Sequence, residues 1–444
     1  MPEDNEDNEA VYLLNEEGDV PPNLIGTNSP PSISNLDYVA YATIGASYLW
    51  PWNCLLSATP YFQGRFEGYK FLQANFSSFV MSITTVTGTL FTILLADRQK
   101  NADYSWRVRV GELTIASVFL LLAFSCALSI PAVPYFLFIL LCVFSSSIGT
   151  GLTQNGSYAI GNTLTSSHTQ AITVGQAVSG VLPPIISMLS AIGSGASKEH
   201  SNDVNESLDV RESGSSSTNS SVGSALYFLA ATAVCTAAII CFRQSEKYRK
   251  SNASGFSFSN ENPAPEPLSA TKKQHIPLST LFSKLFVPAS TVFITFAITL
   301  IYPVFAGTVK SSNGIPTQFF IPAVYLFWNS GDLLGRVLCG RPQFVVKDRR
   351  ALTGYAVARL LFVPAFFLTN INGDGIIQSD VYYLLLQFAF GVTNGQLVTS
   401  ALMESPSFVN ENEKEAAGGF MTMSLSIGLA VGSLLSFVLV WILG

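Results

Sequence analysis

The chain has 444 residues, 48% hydrophobic and only 12% charged, with a formal net charge of −6. A charged fraction about half that of a soluble domain argues against a soluble globular enzyme and for an all-α polytopic membrane protein. The acidic excess comes largely from the tail and loops and says little about partners, and nucleic acid is not expected among them.

Residues 1–36 form an acidic, Asn/Pro-rich segment without a basic n-region or cleavage site, so no removed signal peptide is expected. It is read as a disordered cytosolic tail. Within it Glu9 precedes Leu13 and Leu14 in EAVYLL, the acidic dileucine pattern that a sorting adaptor binds. Eleven apolar stretches follow, at 37–58, 74–96, 110–130, 133–158, 171–193, 223–242, 288–309, 318–340, 351–370, 381–403 and 415–443. Each is about as long as a hydrocarbon core of roughly 30 Å requires. With the first end in the cytosol, sixteen of the 23 Lys and Arg fall in cytosolic segments and five on the other side, which sets the tail inside and the C-terminus out.

Segment 194–222, rich in Ser and Asn, is then a luminal or extracellular loop, with Asn205 and Asn219 as glycosylation acceptors. Segment 244–287 carries a basic run and then NPAPEP, the composition of a disordered cytosolic linker. It divides a six-helix bundle (37–243) from a five-helix bundle (288–444). Such a layout is that of secondary transporters with a site between halves at mid-membrane. No strong internal repeat is visible.

Ionisable groups within spans are costly and mark pathways or paired sites. In WNSGDLLGR of the eighth stretch, Asp332 and Arg336 are four residues apart and share a helical face with Asn329. They are either a self-neutralising ion pair or, since each keeps unused hydrogen-bonding valences, a site for a polyhydroxylated substrate such as a ribose. In GTGLTQNG of the fourth, Asn155 fits an interhelical bond at a small-residue seam, whereas Gln154 has the donor and acceptor to meet a base edge. In LWPWNCLLSATPYF of the first, Trp52 lies about 20 Å into the span, too deep for an interfacial anchor. Leu49, Trp52 and Leu56 make a stripe able to border a flat ring. Gly391–Gly395 and Gly428–Gly432 are GxxxG helix contacts, and Pro183–Pro184 and Pro364 are expected to kink or interrupt helices. The six cysteines read as small buried residues, with neither disulfide framework nor zinc spacing, so no metal or cofactor is implied.

These motifs, with VGQAVSGVLPP, RLLFVP, LLQFAFGVTNGQL, EAAGGF and GLAVGS in order, make the chain resemble the equilibrative nucleoside transporter family, most closely its fungal vacuolar branch. The resemblance runs from about residue 37 to the C-terminus. It implies an eleven-helix, major-facilitator-like 6+5 fold that moves nucleosides, and in this branch often nucleobases, by alternating access. It places the base on Gln154, the ribose on Asp332, Arg336 and Asn329, and apolar contacts on Leu49, Trp52, Leu56 and Leu429. Thr85 and Gly88 follow by looser alignment, where larger residues in relatives suggest a roomier pocket here. It also implies a cytosolic gate between Glu415 and Arg107 or Arg109.

All three histidines are expected in loops, and the one deep carboxylate is expected to be ionised beside Arg336, which favours facilitated diffusion. The dileucine pattern and the fungal resemblance favour a vacuolar or endolysosomal membrane over the plasma membrane. Competing readings are a transporter of another polar solute such as a sugar, possibly coupled to protons, and a membrane sensor without flux. A membrane enzyme would need an intramembrane nucleophile and base or a metal cluster, which the sequence does not offer.

Overall fold

In lipid an apolar segment satisfies its backbone polar groups internally, and a helix does so within itself. The computed structural model describes residues 33–201, 212–257, 275–300 and 302–443, and its extended structure is confined to two isolated β-bridges, Val309 with Ile371 and Thr369 with Ile377. The helices are α1 (Asn35–Ser57), α2 (Thr59–Arg65), α3 (Lys70–Asp97), α4 (Tyr104–Ser125), α5 (Ala132–Thr163), α6 (Ser166–Ser201) and α7 (Glu212–Ser257). After them come α8 (Leu278–Thr299), α9 (Tyr302–Thr308), α10 (Thr317–Leu338), α11 (Arg349–Ala358), α12 (Phe362–Phe367), α13 (Asp380–Glu404) and α14 (Lys414–Leu443). Side-chain caps set several starts: Ser34 accepts from Asp37 N, Asp103 from Trp106 N, Asp348 from Ala351 N and Ser379 from Tyr382 N.

Among the described residues, eight helical stretches are long and apolar enough to cross a membrane. Helices α1, α10 and α13 fall outside that set although they have 23, 22 and 25 residues. At 1.5 Å per residue each still extends about 33 Å or more. Each carries polar residues, among them Asn53 of α1, Asp332 and Arg336 of α10 and Asn394 of α13, which line the cavity described below.

Helix α1 packs on α6 and α7, α4 on α5 and α7, and α3 on α5; in the second half α10 packs on α13, and α8 on α13 and α14. The halves meet where α10 lies on α6 and α14 on α5 and α3. An aromatic core of Phe62, Phe66, Phe76, Tyr135, Phe136 and Phe228 fills the first half, and Phe305, Phe320, Phe366, Tyr383 and Phe390 cluster in the second. Between α10 and α13 the backbones nearly touch. A Cβ built on Gly395 would overlap the Asp332 carbonyl, and one on Gly391 the Trp328 carbonyl. This GxxxG seam, with its counterpart of Gly428 and Gly432 against Phe293 and Ala297 of α8, is a helix contact as expected.

Several expected boundaries shift. Helix α6 runs unbroken through Pro183 and Pro184 to Ser201, and α7 begins at Glu212, so the expected loop 194–222 is helical at both ends. The expected linker 244–287 is also helical at its ends, through Ser257 and from Leu278. Contacts explain this: Ser245 and Arg249 reach Asp37, Glu246 reaches Arg109, and Leu281 and Leu285 are fully buried one turn apart. The ninth stretch is divided into α11, a 3₁₀ turn at Arg359–Leu361 and α12. Pro364 cannot donate to Leu360, which accounts for the interruption. His168 and His200 lie in α6 rather than in loops, and His168 is buried against Tyr41 with its Nε2 3.9 Å from Asp37 Oδ2.

At the end of the molecule where α1 begins, the halves are tied side chain to side chain. Asn162 Nδ2 donates to Ser405 Oγ at 3.2 Å and to the Lys414 carbonyl at 3.4 Å, and Thr399 Oγ1 to Thr173 Oγ1 at 3.2 Å.

Candidate functional site

Beyond these ties a cavity of about 860 Å³ lies between the halves, within the range of roughly 300–1,000 Å³ typical of small-molecule sites. It is walled by α1, α3, α5 and α6 from one half and by α8, α10, α13 and α14 from the other. Leu49, Trp52, Leu56, Thr85, Gly88, Gln154, Asn329, Asp332, Arg336 and Leu429 all line it. Residues from five helices, separated by as much as 380 positions in sequence, therefore converge on one space. The wall continues toward the other end through Pro184, Ser187, Leu300 and Ser433. Most of the lining is apolar, and its charged pair is Asp332 and Arg336.

Asp332 and Arg336 are 3% and 6% exposed, and Arg336 Nε donates to Asp332 Oδ2 at 2.8 Å. The pair is not closed on itself. Arg336 Nη1 donates to the Thr173 carbonyl and to Gln176 Oε1, both at 2.9 Å, and Tyr158 Oη donates to the same Gln176 oxygen at 3.3 Å. The other carboxylate oxygen, Asp332 Oδ1, accepts from Asn394 Nδ2 at 2.7 Å. More valences are thus occupied by protein than the sequence reading anticipated. These contacts use three of the five guanidinium N–H groups and one acceptor site on each carboxylate oxygen, so an incoming hydroxyl can take up what is left beside Gln176 and Asn394, both of which also line the cavity. Gln176 and Asn394 were not singled out in the sequence; VGQAV and GVTNGQ placed amides within spans, which was the available signal.

Trp52 and Leu49 are partly buried against the core, while Leu56 is 39% exposed at the cavity wall. Asn53, beside Trp52, donates to the Ser179 carbonyl at 2.8 Å and fixes the lower part of α1 to α6. Gln154 is buried at 7% exposure on α5. A Cβ on Gly88 would meet nothing within 4 Å, so α3 leaves open space beside Thr85.

The two candidate gate arginines point in different directions. Arg107 is buried, donating to Asn155 Oδ1 and to the carbonyls of Leu95 and Arg98, and its guanidinium lies 5.0 Å from the Tyr104 ring centroid. Arg109 instead faces Glu246 of α7 at 4.0 Å. Glu415 lies within electrostatic reach of Tyr104, the ring that the Arg107 guanidinium faces. Asn155 is therefore the seam residue expected, with Arg107 as its partner.

A second deep carboxylate was missed. Glu112 of α4 is 0% exposed and accepts from Ser47 Oγ of α1 at 2.5 Å, behind the cavity wall at Tyr48. Its neighbour Gly111 lets α4 and α5 approach too closely for any side chain, which puts Glu112 in a packed interior. Glu9, Leu13, Leu14 and Asn205 lie outside the described residues; Asn219 falls on the α7 backbone, with its side chain outside them.

A helical protein with a mostly apolar cavity between two helix groups and a buried ion pair in its wall belongs to the class of membrane transporters. Among solved structures the chain is similar to the major facilitator superfamily transporter FucP in its outward conformation, with a TM-score of 0.54 and 14% identity over 90% of this chain and 92% of that one. It is also similar to the E. coli fucose:proton symporter FucP at a TM-score of 0.56, covering 91% and 92%. At such identity the likeness shows the fold alone.

The family described as nucleoside transporter matches residues 139–441. The chain is 33% identical over 463 residues to nucleoside transporter FUN26 of Saccharomyces cerevisiae, spanning 93% of this chain and 85% of that protein. It is 24% identical over 469 residues to equilibrative nucleoside transporter 2 of Homo sapiens, spanning 92% and 98%. The chain belongs to the equilibrative nucleoside transporter family, whose members are transporters and not enzymes.

Proposed function

We propose that this transporter carries nucleosides, and nucleobases with them, by facilitated diffusion across the vacuolar or endolysosomal membrane. The observation that carries the reading is the convergence, around one cavity of about 860 Å³, of a buried Asp332–Arg336 pair with Gln154 and Trp52. The ribose hydroxyls take up the pair's free valences beside Gln176 and Asn394, assisted by Asn329. The base lies against Trp52, Leu49, Leu56 and Leu429, with Gln154 at its edge and Thr85 beside it. Eleven spans in a 6+5 arrangement support alternating access, with α1, α10 and α13 counted among the spans. The bundles are 37–243 and 288–444, the tail is cytosolic and the C-terminus luminal. Closure at the tail end uses Arg107, through Asn155, with Glu415; Arg109 serves the α4–α7 contact. The tail's Glu9, Leu13 and Leu14 engage a sorting adaptor, and Asn205 and Asn219 accept glycans.

Glu112 favours a second reading, in which flux is coupled to protons, because it is a fully buried carboxyl. Radiolabelled uridine, adenosine and uracil uptake into proteoliposomes, with and without a pH gradient, tests both. Uptake independent of the gradient is expected; accumulation driven by it would establish coupling, and absence of nucleoside uptake would overturn the proposal. Leu13 and Leu14 changed to Ala should move the protein to the cell surface, whereas unchanged vacuolar localisation would remove the sorting assignment.

A further inference from the structure

Arg359 sits in the 3₁₀ turn between α11 and α12, has 1% of its surface exposed and does not line the cavity. Its Nη1 donates to the Phe390 carbonyl at 3.0 Å and to Thr393 Oγ1 at 2.6 Å, and its guanidinium lies 4.5 Å from the Phe390 ring centroid. Its Nη2 donates to Asn394 Oδ1 at 3.3 Å. Thr299 Oγ1 of α8 donates to that same amide oxygen at 2.6 Å.

The consequence follows from what an amide can do. Its oxygen accepts and its nitrogen donates, and a flip exchanges the two ends. The Thr299 hydroxyl shares its single proton between that oxygen and the Thr295 carbonyl, so the cationic donor Arg359 on Oδ1 is what holds the Asn394 side chain with Nδ2 toward Asp332, which it meets at 2.7 Å. A flipped amide would turn its oxygen on the carboxylate and its nitrogen on the guanidinium, two repulsive contacts in a dry interior. Asp332 is then fixed at both oxygens, by Asn394 on Oδ1 and by Arg336 on Oδ2.

We propose that Arg359 is a positioning residue for sugar recognition, acting through Asn394 to hold the Asp332 carboxylate in the orientation that receives ribose hydroxyls. The proposal rests on the reading that Asp332 binds the ribose. A residue that merely pins the broken α11–α12 segment to α13 would affect all substrates alike. A positioning residue changes discrimination between sugars.

The test uses the purified full-length protein in proteoliposomes and the KM values for uridine and 2′,3′-dideoxyuridine. Arg359→Gln should raise the uridine KM about tenfold, the loss expected for weakening one charge-assisted hydrogen bond, and leave the dideoxyuridine KM unchanged. Arg359→Lys, which keeps the cation and loses the fork, should fall between. Asn394→Asp keeps an acceptor for Arg359 and Thr299, and so keeps the pin, while presenting oxygen to Asp332; its discrimination should collapse as well. If Arg359→Gln yields no folded protein, Arg359→Lys decides, with Asn394→Asp as the control that the Asn394–Asp332 contact carries the discrimination. Equal shifts for both substrates, or a wild-type ratio in a folded variant, would overturn the proposal. Asp332→Asn separates the two levels: a wild-type ratio there removes the ribose reading itself, whereas a ratio lost there and kept in the Arg359 and Asn394 variants removes only the positioning role.

Discussion

Arg336 of α10 reaches across the interface between halves to Gln176 of α6, donating to its Oε1 at 2.9 Å. Gln170, two turns earlier on α6, returns the contact by donating to the Arg336 carbonyl at 3.1 Å. The residue proposed to bind ribose therefore also helps hold the halves together at the end where α1 begins. The same guanidinium thus serves both the substrate site and the tie that keeps that end closed.

This gives the first prediction. Gln176→Leu removes one acceptor from a buried cation, and a hydrogen bond to a charged group is worth about 1.5–3 kcal/mol. Spin-label distances across the α6–α10 seam should shift toward the separated population in the variant. An unchanged distribution would show that the contact does not bias the equilibrium.

Arg107 and Arg109 should behave differently although they are two residues apart. Arg107→Ala leaves the Leu95 and Arg98 carbonyls and Asn155 without their donor, and a loss of about 2–4 kcal/mol of stability is expected for a broken buried charged network. Arg109→Ala breaks a half-exposed 4.0 Å pair worth less than about 1 kcal/mol. Melting temperatures in detergent and uridine uptake check the contrast, and similar losses in both would contradict it.

Much of the site was legible because its residues are chemically out of place in lipid. Asp332 and Arg336 announced themselves as charges four residues apart, and Trp52 by its depth. Glu112 did not, because its partner Ser47 is 65 positions away and GELTIAS has no motif around it. Gln176, Asn394 and Arg359 were equally out of place; what was hidden was their connection, which arises only when α6, α10, α11 and α13 pack together. The fold was legible as apolar periods, whereas helix ends were not. Helix α7 continues to Ser257 because Ser245, Glu246 and Arg249 meet partners on α1 and α4, contacts that composition cannot reveal.

The space beside Thr85 predicts a gain in selectivity from filling it. Gly88→Leu meets no atom within 4 Å of its Cβ, so the protein should fold normally, and a helical Gly replaced by a better helix former adds some stability. The larger side chain narrows the cavity and should raise the KM for purine nucleosides more than for pyrimidine nucleosides. Equal KM changes for adenosine and uridine would show that the base does not lie against α3.

Asp380, at the start of α13, ties together the loop after α9. It accepts from Ser312 N and Ser311 Oγ at 2.7 Å, and from Asn313 N and Nδ2 at 3.2 and 3.0 Å. Burial raises its pKa, but these hydrogen bonds outweigh burial and hold it below the ordinary carboxylate range. A carboxylate depressed in the folded state contributes stability that is fully present above its unfolded pKa, about 3.9, and is lost as pH falls through the folded value. The contribution should therefore persist unchanged between pH 7 and 5. Asp380→Asn should lower the melting temperature equally at both, and a difference that disappears at pH 5 would contradict the assignment.

The most direct measurement is a density map of the transporter with uridine bound. The account predicts ribose hydroxyls within hydrogen-bond distance of the Asp332 carboxylate and the Arg336 guanidinium, with the base against Trp52 and its edge at Gln154. Uridine bound elsewhere, with Arg336 still bonded to Gln176 and Asp332 to Asn394 and no sugar contact to either charge, would contradict it.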